Sequence, residues 1–121
     1  MLARRATPMY LVNDLIEART RYEALGFEPR LSEDTGCLGV TAGPTNVILL
    51  NRDYAERTLP ARAVELLRER PALYVWVESL DAMRSGLRGG FLGEMQKAGL
   101  REWAVESDQG LMVFAETVFA Q

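Results

Sequence analysis

A shift of 65 residues lays the second half of this chain on the first, and that internal repeat restricts the possible folds more than any other feature. Val12 falls on Val77, Leu15 on Leu80 and Arg19 on Arg84. With no gap, Val40 then meets Val105, the turn at 42–45 meets 107–110, and Val47-Ile48-Leu49 meets Met112-Val113-Phe114. The identities are few, but strand, helix and turn all fall into step under one offset. The chain therefore reads as two copies of one small unit.

Local signals define that unit. Residues 7–12 read as a strand. Asp14 and Glu17 have capping-box spacing, Leu15, Ala18, Tyr22 and Leu25 recur at helical intervals, and Gly26 suits a left-handed C-terminal position. This predicts a helix over 14–25. Extended segments follow at 27–32, 37–41 and 46–51, with turn residues at 34–36 and 42–45 between them. In the second copy, strand 72–78 precedes a short helix over 80–87, stopped by Gly89-Gly90. Strands at 91–95, 100–106 and 111–118 complete it, with Asp108-Gln109-Gly110 as a hairpin turn. Residues 91–98 have a helical alternative, which glycines 89, 90 and 93 disfavour.

The expected architecture is α+β: one domain over 1–121, in which two βαβββ units (5–51 and 72–121) form a curved mixed sheet. The charged stretch 52–70, with Pro60 and a helical pattern in Ala63, Leu66 and Leu67, reads as a surface connection with a short helix, closed by Pro71. A linker is preferred to a functional lid.

Alternation along the strands predicts two faces. Leu73, Val75 and Val77 are uniformly aliphatic and suit the helix-covered side. Ala72, Tyr74, Trp76 and Glu78 are mixed, and on a curved sheet they turn toward a groove. The repeat adds Thr7, Met9 and Leu11, then Val47, Leu49 and Asn51, then Met112, Phe114 and Glu116.

Composition removes several functions. The chain has 121 residues and no histidine, the commonest transition-metal ligand and near-neutral general base. A net charge of −3 argues against nucleic-acid backbones, which need a basic face. A domain of this length buries roughly two-thirds of its unfolded surface, so neither disulfide nor metal is required for stability. Cys37 is the only cysteine and reads as a small buried strand residue. No long apolar run suggests a membrane span, and nothing after Arg4-Arg5 looks like a signal segment, so a cytoplasmic location is expected.

Two stretches resemble the vicinal oxygen chelate superfamily, which includes glyoxalase I, extradiol dioxygenases, fosfomycin-resistance transferases and bleomycin-resistance proteins. The first is Val12-Asn13-Asp14-Leu15-Ile16-Glu17-Ala18 through Arg21-Tyr22-Glu23-Ala24-Leu25-Gly26-Phe27, with Arg21 in place of an aromatic residue. The second is Leu100-Arg101-Glu102-Trp103-Ala104-Val105 followed by Asp108-Gln109-Gly110, with Gln109 in place of proline. The resemblance covers nearly the whole chain and is specific for fold rather than activity. It implies four metal-ligand positions, and family spacing places them at Thr7, Leu49, Ala72 and Phe114. Leu, Ala and Phe cannot ligate, and Thr alone is a poor ligand. No metal and no other cofactor is therefore expected.

Among superfamily members the resemblance is nearest in character to metal-free bleomycin-resistance proteins, through length, acidity and Tyr74-Val75-Trp76-Val77-Glu78-Ser79-Leu80-Asp81. It implies a homodimer binding a small molecule, planar or cationic, against aromatic rings and acidic groups. The candidate ligand-binding residues are Trp76, Tyr74, Phe114, Glu78, Glu116 and Trp103. Trp76 reads equally as a stacking platform or as filler between half-sheets, while Tyr74 and Phe114 lean toward filler. Glu78 and Glu116 are acid/base or oxygen-ligand candidates if inward, and solvated partners of Arg101 or Arg88 if not. Two alternatives stay open: an enzyme using a carboxylate-based site, and a non-catalytic dimeric scaffold.

Overall fold

The structure is a computed structural model, and it describes residues 2–30, 35–87, 89–97 and 99–118. Eight strands form one curved mixed sheet in the order β2-β3-β4-β1-β5-β8-β7-β6. The first unit runs β1 (Ala3–Val12), α1 (Leu15–Ala24), β2 (Glu28–Arg30), β3 (Cys37–Ala42) and β4 (Thr45–Asn51). The second runs β5 (Ala72–Val77), α4 (Leu80–Met83) and a 3-10 turn (Arg84–Gly86), then β6 (Phe91–Lys97), β7 (Leu100–Ser107) and β8 (Gly110–Thr117). Between them lie α2 (Arg52–Thr58) and α3 (Ala61–Glu69). No helix among the described residues is long and apolar enough to cross a membrane.

The repeat is visible in the pairing. β1 lies parallel to β4 and β5 parallel to β8, while β1 and β5 join the units antiparallel, Thr7 opposite Tyr74 and Met9 opposite Ala72. The predicted caps form: Asp14 accepts a hydrogen bond from the Glu17 amide at 3.0 Å, and Gly26 sits at φ +96°. Residues 91–97 are strand, because Met95 pairs with Glu102 and Lys97 with Leu100. Residue 98 of that segment, residues 31–32 of the expected strand 27–32, the turn residue Asp34 and Arg88 lie outside the described residues.

The segment 52–70 departs most from expectation. It is not a surface connection but two helices laid onto the inner face of the sheet. Ala55 on α2 and Ala63, Val64, Leu66 and Leu67 on α3 are buried in one cluster with Met9, Ala72, Tyr74, Val113 and Ala115. The physical reason is the stripe on α3, apolar on one side and Arg62, Glu65, Arg68 and Glu69 on the other. Arg62 clamps Glu106 on β7 through both carboxylate oxygens, at 3.1 and 2.7 Å, and Arg68 reaches Glu56 on α2 at 3.1 Å. Asn51 caps α2 through the amides of Asp53 and Tyr54, at 3.0 and 3.3 Å.

The outer face carries the other two clusters. Leu38, Val40, Val47 and Leu49 pack with Ala18 of α1. Val75, Val77, Trp103, Val105 and Phe114 pack with Leu80 of α4. Of the aliphatic set on β5, Val75 and Val77 are buried there as expected, whereas Leu73 remains 39% exposed.

Candidate functional site

Directly paired residues share a face, so the ladders define what lines the inner side. Met9 is level with Ile48 and Leu11 with Leu50, while Tyr74 is level with Val113 and Trp76 with Ala115. Leu49 and Phe114 therefore point outward, beneath α1 and α4 respectively. Placing them inward was an error of one residue in strand parity, and the same error displaced Val47, Met112 and Glu116. Thr7 and Ala72 do lie on the inner side, and both are buried.

The residues actually at the inner positions do not fit a divalent metal. Ile48, Leu50, Val113 and Ala115 offer no donor atom, and Thr7 alone is a poor ligand. Among the described residues no three His, Cys, Asp or Glu side chains converge.

Between the sheet and α2 there is instead a cavity of about 160 Å³. Its floor is Met9, Ile48, Leu50 and Val113; Tyr54, Thr58 and Leu59 close it from the α2 side. Tyr74, Trp76, Cys37, Leu100, Lys97 and Glu102 complete the wall. Its polar centre is Glu102, only 2% exposed. One carboxylate oxygen of Glu102 accepts the Tyr74 hydroxyl hydrogen in a short bond, and the other lies 3.7 Å from the Lys97 ammonium. Lys97 also sits over the Tyr54 ring, 5.3 Å from its centroid.

Protonation follows from this packing. Burial, and then the Glu102 charge, push the Tyr74 hydroxyl far above the usual tyrosine range, so it remains a donor. Burial acts against the Lys97 charge, but Glu102 and Tyr54 outweigh it and hold the ammonium above the usual lysine range. The cavity is thus lined by one cation, one anion and a neutral phenol.

The sequence candidates divide between two faces. Tyr74 and Trp76 line the cavity with their rings edge to face, centroids 5.4 Å apart, and the Arg5 guanidinium lies 5.0 Å from the Trp76 ring centre. Phe114 and Trp103 belong to the outer core. Trp103 donates its indole N–H to Glu94 at 2.7 Å and lies beneath Arg84 and Arg101, whose guanidiniums stand 5.4 and 5.7 Å from its ring. Glu116 faces outward because β8 residues of even number do, and it accepts from the Leu80 amide at 3.2 Å with Arg101 3.7 Å away. Glu78 lies just past the end of β5 and is exposed. The proposed Arg101 partnership of Glu116 is therefore present, whereas the Arg88 alternative falls outside the described residues.

Sequence reasoning missed Glu102, Lys97 and Tyr54. One signal was available: Leu100, Glu102 and Ala104 share a face of β7, so the carboxylate interrupts an apolar side. The 65-residue offset also sets Glu102 on Cys37, and both line the cavity.

Comparison with known proteins supports the fold. No family model matches the chain, and no curated protein does. Solved structures do match. One is a glyoxalase/bleomycin resistance protein/dioxygenase superfamily member from Vibrio splendidus 12B01, with a TM-score of 0.64, 15% identity, and coverage of 93% of this chain and 97% of that one. Another is an uncharacterized protein from Methanosarcina mazei, with a TM-score of 0.55, 17% identity, and coverage of 100% and 98%.

Proposed function

From a chain with the glyoxalase/bleomycin-resistance/dioxygenase fold, we propose a small-molecule binding protein that works without a metal and holds a compact planar ligand between the sheet and α2. The carrying observation is the 160 Å³ cavity at the centre of the inner face, apolar on its floor and polar at Glu102. An engineered apolar cavity of about 150 Å³ takes up benzene, which sets the scale at one six-membered ring. A glycopeptide drug is far larger, so this cavity suits a ring-sized molecule rather than sequestration of a bleomycin-like compound.

Titration of EDTA-treated protein with single-ring fragments tests the reading. Fluorescence of Trp76, which lines the cavity, should change saturably, with Trp103 on the outer face as a constant background. Absence of saturation with every fragment, or saturation only after a divalent metal is restored, overturns it.

A second reading, an enzyme using carboxylate chemistry, is favoured by one observation: a carboxylate, a phenol and an ammonium stand together in that cavity. Such groups can move a proton to or from a bound molecule. It requires turnover of a bound fragment that Glu102→Gln abolishes without abolishing binding. Unchanged fragment after prolonged incubation excludes it for that fragment.

A further inference from the structure

We propose that the ligand of this cavity is uncharged: a single aromatic ring bearing one O–H or N–H donor, which is given to the Glu102 carboxylate. The inference rests on the binding reading above and names the chemistry of its ligand.

Charge balance carries the argument. Among the described residues, Lys97 and Glu102 are the only charged side chains lining the cavity, and they form an ion pair at 3.7 Å. Their charges cancel within the wall. A cationic ring placed against Glu102 would also lie near the Lys97 ammonium, and an anionic ring placed against Lys97 would lie near Glu102. Either would leave one net charge in a largely apolar space, where an uncompensated ion is costly. A neutral ring adds none.

The donor follows from the geometry of Glu102. One of its oxygens is taken by the Tyr74 hydroxyl. The other has Lys97 at 3.7 Å, attractive as a charge but beyond hydrogen-bonding length. A carboxylate oxygen in that position accepts a short bond from a ligand O–H or N–H. The aromatic character follows from the walls, since Tyr54, Tyr74 and Trp76 present three rings to a space of one ring's volume.

Four probes of one size separate the possibilities: phenol, benzene, benzamidine as the cation and benzoate as the anion. Calorimetric or NMR titration of the whole chain should rank phenol first, about tenfold or more above benzene for a hydrogen bond to a charged acceptor. Benzamidine and benzoate should bind more weakly than benzene. Lys97→Met should then raise benzamidine affinity, and Glu102→Gln should raise benzoate affinity while lowering that of phenol, with circular dichroism confirming that both variants fold. If none of the four binds, the binding reading itself fails. If a charged ring equals or exceeds phenol, or neither variant changes the charge preference, binding stands and this inference is overturned. Equal affinities for phenol and benzene overturn the donor assignment.

Discussion

Tyr74→Phe is the sharpest perturbation of the inner face, because it deletes one oxygen and leaves the ring in place. That oxygen donates the short hydrogen bond to Glu102, a carboxylate 2% exposed whose other neighbour is Lys97 at 3.7 Å. A hydrogen bond to a charged group contributes about 1.5–3 kcal/mol, and a buried acceptor deprived of its donor incurs a desolvation penalty of similar size. The two overlap, since both describe the same lost partner, so about 2–3 kcal/mol is expected rather than their sum. For a chain of 121 residues, 1 kcal/mol corresponds to about 4 °C in Tm, so the midpoint should fall by about 8–12 °C. Chemical denaturation at pH 7, read by far-UV circular dichroism, gives the free energy; calorimetry gives Tm. Adding Glu102→Leu together with Lys97→Met to Tyr74→Phe should recover part of the loss, because neither an orphaned carboxylate nor the ammonium it pairs with then remains. A Tyr74→Phe protein within about 0.5 kcal/mol of the parent would refute the reasoning, since that is the range of ordinary surface substitutions.

Leu67→Ala on α3 should cost about 2–5 kcal/mol in urea denaturation, the range for a buried leucine, whereas a side chain on a solvated linker would cost under about 0.5. Asn51→Ala removes the cap of α2, which closes the cavity, and should cost about 1 kcal/mol by the same measurement. Stability should decline with alkali above about pH 10, the ordinary tyrosine value. The folded Tyr74 keeps its proton where the unfolded one loses it, so the stabilisation is complete below that pH and diminishes as pH rises. Tyr74→Phe should flatten that alkaline limb in a series of denaturation curves, and an unchanged slope would contradict the assignment.

What could be read from sequence depended on whether an element has one buried face or two. α1 was legible because Asp14 caps it, Gly26 ends it and its buried Ala18 lies on the predicted stripe. The repeat was legible because strands and turns kept their spacing, and it carried the topology with it. The parity of β4 and β8 was not. β4 is covered by α1 outside and by α2 inside, and β8 by α4 and α3, so Val47-Ile48-Leu49-Leu50 and Leu111 to Ala115 are apolar without alternation. A strand buried on both sides carries no mark of which residue faces which. Leu49 and Phe114 were misplaced for that reason; Leu50 and Val113, their neighbours on the inner side, also carry no metal-donor atom.

The candidate site shows the same division. Tyr74 and Trp76 could be read from β5, where aromatic residues alternate with the aliphatic Leu73, Val75 and Val77. Glu102 lies in a stretch whose resemblance to other proteins drew attention to its fold value, and its burial depends on Tyr74 and Lys97, which are distant in sequence. α3 displayed its apolar stripe plainly, but no local pattern says which surface such a stripe will cover. Only the inner face, left without another covering element, provides the partner.

The most direct test of the central claim is to locate a ring-sized ligand by diffraction, using crystals soaked with 4-bromophenol and the anomalous signal of bromine. One strong site is expected between Tyr54 and Tyr74, with the phenol oxygen in hydrogen-bonding range of Glu102. Bromine bound only outside that cavity, beside Trp103 or against α1, would contradict it.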